Sequence, residues 1–130
     1  MVSVNFSGRL EVEALLRSSV LFKFGESGDA APFVGSPVFS AALRSLLESV
    51  IDSCARSGDD ATCERWRKTY RLSGHPERWK FVAKYSARHP KWGLLSIADR
   101  EEWVETVASP YWLSREEHAE MQSEIARIQE

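Results

Sequence analysis

Residues 2–25 read VSVNFSGRLEVEALLRSSVLFKFG, and the period of the apolar positions in this stretch decides the fold class. Val2, Val4 and Phe6 alternate with polar neighbours, and so do Val20, Phe22 and Phe24 ahead of Gly25. A period of two is that of a half-buried strand. Between the two runs, RLEVEALLR fits either a continued sheet or a short helix, and its state is left open. The alternation predicts strands at about 2–6 and 19–24, and a third short strand is expected in WGLLSI, at about 93–97.

The rest of the chain reads as helix. GESGDAAPFVGSP, rich in Gly, Ser and Pro, is a loop. Ser36 suits an N-cap and Pro37 the first helical position, where its missing N–H costs nothing. From there Phe39, Leu43, Leu46, Leu47, Val50, Ile51 and Cys54 share one face, which predicts a long central helix over about 37–57 that Gly58 ends. A second helix opens at Asp59 or Asp60 and carries Cys63, Trp66 and Tyr70 inward. Pro76 opens a third, which runs to about Arg88 because Pro90 disfavours helical geometry at His89. Asp99 with Glu102 and Ser114 with Glu117 have the spacing of capping boxes for two more helices. In the last of these His118, Met121, Ile125 and Ile128 form a narrow seam suited to another helix, or to a second copy in a homodimer. The expected architecture is α+β, with four or five helices and a small N-terminal sheet; the alternative is all-α, should the N-terminal alternation mislead.

At 130 residues with 43% hydrophobic and 28% charged side chains, the chain fits one globular domain over residues 1–130 and lies far from disordered compositions. No basic-then-apolar leader and no run of roughly 20 apolar residues is present, so a soluble, cytoplasmic chain without membrane contact is expected. Two cysteines, Cys54 and Cys63, are expected as free buried thiols.

The net charge of −2 hides an uneven distribution. Residues 60–92 hold nine Lys/Arg and three Asp/Glu, whereas residues 93–130 hold three and nine. Such asymmetry points to an interaction, or to a basic middle that lies against an acidic last third. Within GHPERWKFVAKYSARHPKWG, residues 74–93, the rings fall on an inward arc, while Lys80, Lys84 and Arg88 form an outward stripe at steps of four. Together with Arg67, Lys68 and Arg71 they make the basic 64–92 region a candidate contact for phosphates or for an acidic protein. Tyr111 and Trp112, between Pro110 and Ser114, are the candidate exposed aromatic anchor. Glu116, Glu117, Glu120 and Glu124 supply the acidic face of the last helix.

No catalytic pattern occurs. There is no nucleophile elbow, GxGxxG, P-loop or HExxH, and the spacing of Cys54, Cys63, His75, His89 and His118 matches no zinc pattern. No cofactor and no metal is expected. Small size, absent chemistry and opposed charge surfaces suggest a non-catalytic bacterial binding protein of the immunity or inhibitor type, which blocks a partner such as a toxin or nuclease. The rival is a nucleic-acid-binding module built on residues 64–92, and a third reading is a small enzyme with a site near His75 and His89.

Overall fold

The computed structural model describes residues 2–130. Seven helices are present: α1 (Arg9–Lys23), α2 (Ala31–Val34), α3 (Pro37–Arg56), α4 (Asp60–Thr69), α5 (Pro76–Ala87), α6 (Ile97–Ala108) and α7 (Arg115–Ile128). Two 3-10 turns, Leu72–Gly74 and Trp92–Leu94, join them. Among the described residues there is no strand and no sheet, so the α+β expectation is corrected to all-α.

The correction has a simple cause. In α1 the buried positions are Val12, Leu16, Val20 and Lys23, followed by Phe24 at the C-cap. They recur at steps of three and four, so the helix places Leu16, Val20 and Phe24 in one core and buries Val12 on the same face, at about 2 kcal/mol each. Val20 and Phe24 are thus neighbours on a helix face, and Phe22, which completed the apparent alternation, points elsewhere and is 40% exposed. Val2, Val4 and Phe6 are exposed, and among the described residues no backbone hydrogen bond holds residues 2–6. The third expected strand is a 3-10 turn leading into α6, with Leu94 and Ile97 exposed.

The long helix stands as read. Ser36 Oγ accepts from the Phe39 N–H at 3.2 Å, and Leu43, Leu47, Val50 and Cys54 are buried. Gly58, at a φ of 75°, ends it; the Gly58 N–H donates to the Ala55 carbonyl and the Asp59 N–H to that of Cys54. α3 packs against α1, α2, α4 and α6, while α5 packs against α6 and α7. The seam of α7 is buried at His118, Met121 and Ile125 within this second group, and Ile128 is left exposed.

A polar knot sits where the groups meet. Lys23 is wholly buried, and its ammonium donates to Ser40 Oγ at 3.2 Å and to the carbonyls of Thr106 and Ser109 at 2.9 and 2.8 Å. The Ser40 hydroxyl donates to the same Thr106 carbonyl, and the Ser109 hydroxyl donates to the Ser40 carbonyl. One side chain thereby ties the end of α1 to the start of α3 and the end of α6. Burial, with repulsion from Arg44 added, lowers the Lys23 pKa to about 7.

Candidate functional site

Charge and aromatic surface converge where α4, the Leu72 turn and the start of α7 meet. Asp59 caps α4 by accepting from the Thr62 N–H at 3.1 Å, and the ten-residue helix turns Cys63 and Tyr70 inward. Its remaining circumference carries Arg65, Arg67 and Lys68, all exposed. At its end the chain crosses the segment before α7. The Trp112 N–H donates to the Tyr70 carbonyl and the Leu72 N–H to that of Trp112, each at 2.9 Å, a lone parallel bridge centred on Arg71 and Trp112. This pairing brings positions more than forty residues apart side by side.

The result is a groove of about 480 Å³ lined by Glu64, Arg65, Arg67, Lys68, Arg71 and Trp112. Trp112 is 40% exposed; its indole N–H donates to the Arg67 carbonyl at 2.8 Å, and the Arg71 guanidinium lies 5.2 Å from its ring centroid. Arg71 Nε also donates to both oxygens of Glu117 at 3.1 and 3.2 Å. Glu117 is buried and completes a reciprocal capping box with Ser114 at the start of α7. Burial alone would raise its carboxyl, but hydrogen bonds from Ser73, Ser114 and Arg71 outweigh that and hold it at about 2. Arg67 pairs with Glu64 at 2.8 Å and Arg65 donates to the Thr62 hydroxyl, while Lys68 has no carboxylate partner among the described residues.

The remaining sequence candidates are distributed as follows. Lys80 and Lys84 are exposed on α5 outside the groove, Lys80 at 3.9 Å from Glu77; Arg88, also exposed, lines a separate cavity. Glu116 and Glu120 are exposed on α7, and Glu124 pairs with Arg127. Among the described residues, Arg71 alone of the nine cations between 60 and 92 pairs with a carboxylate of the last third. The basic segment therefore stays largely open to water.

Tyr111 requires a correction. Expected as half of an exposed anchor, it is 8% exposed and packs in the core against Tyr70, Phe24 and His75, with ring centroids 5.4, 5.5 and 4.8 Å away. The bridge fixes Trp112 at the surface, which turns its neighbour inward. The expected capping box at Asp99 and Glu102 is also displaced: α6 starts earlier, with Ser96 Oγ accepting from the Asp99 N–H. His75 donates to the Thr69 carbonyl, and His89 accepts from the Lys91 N–H at 3.0 Å. They flank opposite ends of α5, roughly 20 Å apart at the rise of an α-helix, so no single site uses both. Cys54 and Cys63 are free and buried, as expected.

Sequence reasoning missed Arg65 as a groove residue and Lys23 as a buried cation. The signal for Lys23 was present, since it continues the Val12, Leu16, Val20 stripe. Among the described residues no helix is long and apolar enough to cross a membrane. No protein-family model matches the chain, and neither a curated protein nor a solved structure is similar to it.

Proposed function

We propose that the protein is a non-catalytic binding module of the immunity or inhibitor type, which blocks a macromolecular partner by seating an acidic segment of it in the Trp112 groove. The observation that carries this reading is the convergence of Arg65, Arg67, Lys68 and Arg71 on an exposed tryptophan from a distant part of the chain. Arginine and tryptophan together are the residue types that most often dominate protein interfaces. Lys68 and Arg65 offer charge without an internal carboxylate, and Trp112 offers apolar area at the same place.

A protein fits better than a nucleic acid because negative charge borders the groove. Glu64 lines it, and Glu116, four residues after Trp112, begins the acidic stripe that Glu120 continues along α7. A polyphosphate chain carries negative charge alone, whereas a protein surface of mixed sign can complement both the groove cations and these carboxylates. The stripe gives a basic target, such as a nuclease, a second contact.

The test is affinity capture from the native host with wild type and with an Arg67→Ala/Lys68→Ala/Trp112→Ala variant, followed by mass spectrometry. A protein retained by wild type, lost from the variant and released by added salt supports the reading; the variant should bind it roughly a hundredfold more weakly. Capture that is indifferent to the variant counts against it. Salt-sensitive retention of RNA or DNA, abolished by Lys80→Ala/Lys84→Ala/Arg88→Ala, would establish the nucleic-acid reading instead.

A further inference from the structure

After Lys23 the chain turns away from α1, and Glu26 takes a φ of 59°, a left-handed conformation that side chains other than glycine rarely adopt. The turn places Glu26 at the mouth of a cavity of about 180 Å³ between α2 and α5, remote from the Trp112 groove. Ala30, which precedes α2, and Val34 within it form the buried wall, Phe81 and Tyr85 of α5 add aromatic surface, and exposed Glu26 and Arg88 complete the lining. Lys23 lies wholly buried behind the cavity with its ammonium committed to three acceptors, so it offers a ligand no free amine.

The charges of Glu26 and Arg88 are opposite in sign and unused. Neither Glu26 nor Arg88 forms an ion pair with the other or with any group among the described residues. Both are exposed, and among the described residues neither has an internal counter-ion. A small concave site with apolar and aromatic walls and a few convergent polar groups is the usual form of a ligand pocket.

We infer that this cavity binds a small zwitterion, an α-amino acid with a branched aliphatic side chain. The ammonium group is taken by Glu26 and the carboxylate by the guanidinium of Arg88, whose fork matches a carboxylate. The side chain lies between Val34 and the rings of Phe81 and Tyr85. At about 180 Å³ the cavity is smaller than those that hold drug-sized ligands and suits one the size of valine or leucine. The unusual backbone of Glu26 follows from the same assignment, since conformations of this kind gather at ligand clamps.

Calorimetric titration of the full chain tests it, with L-valine and L-leucine as ligands and isovalerate and isobutylamine as the two half-ligands. Saturable binding of at least one amino acid is expected, with each half-ligand at least roughly tenfold weaker. Arg88→Ala and Glu26→Gln, both at exposed positions that leave the core intact, should each weaken binding by a similar factor. Absence of saturable binding up to about 10 mM overturns the inference. So does isovalerate binding as tightly as the amino acids, or affinity unchanged in either variant.

Discussion

Three acceptors and no carboxylate surround the ammonium of Lys23. Two of the acceptors are carbonyls that close α6, so the positive charge sits at the negative end of that helix dipole. Burial still lowers the pKa to about 7, and the sign of the pH effect follows. Below about pH 7 the folded chain holds the charge and bears its desolvation cost. Between about 7 and the ordinary lysine value of 10.5 the unfolded chain stays protonated while the folded chain has released its proton, so stability rises with pH. Urea unfolding of wild type and Lys23→Met at pH 7 and pH 9 isolates this contribution, because other groups cancel in the comparison. Wild type should gain up to roughly 2 kcal/mol relative to the variant over that interval. Equal slopes would show that Lys23 keeps an ordinary pKa.

At the scale of elements, the caps were the most legible feature. Ser36, Asp59 and Ser114 each accept from the N–H three residues on, because a short side chain next to free N–H groups has a local reason to bond there. The capping box of α7 has an added duty, since Glu117 bonds the Ser114 N–H at 2.8 Å and also anchors Arg71. Ser114→Ala should cost about 1 kcal/mol, read as a lowered urea midpoint, and an unchanged midpoint would show that the cap adds nothing. The N-terminal element was misread for an equally local reason. Six residues with apolar positions at 20, 22 and 24 satisfy a strand pattern, and only the longer window from Val12 shows that 12, 16, 20 and 24 share one helical face. The groove could not be read locally at all. Its cations were visible on the α4 wheel, but their meeting with Trp112 depends on a backbone bridge between segments with no common pattern.

For the whole molecule, the two helical groups close a core that runs from Leu16 and Leu47 through Tyr70 and Trp92 to Val107 and Ile125. Residues 2–6 lie outside it, with Val2 at 92% and Val4 at 73% exposure. Removing residues 2–6 should therefore leave the thermal midpoint within about 2 °C of wild type, the shift that about 0.5 kcal/mol gives in a domain this size. A fall of about 5 °C or more would place the segment in the folded core. Charge at this scale is arranged as neighbouring patches of opposite sign, and the single Arg71–Glu117 pair joins them without neutralising either.

On the binding reading proposed above, that same pair bears on how firmly the groove would hold a partner. A long cationic side chain ordinarily surrenders rotational freedom when it is captured, at a cost of roughly 0.5–1.5 kcal/mol. Arg71, braced by a buried anion on one side and an indole plane on the other, has surrendered much of that freedom on folding. A carboxylate of the partner proposed above would meet a guanidinium already immobilised, leaving more of the attraction to slow its departure.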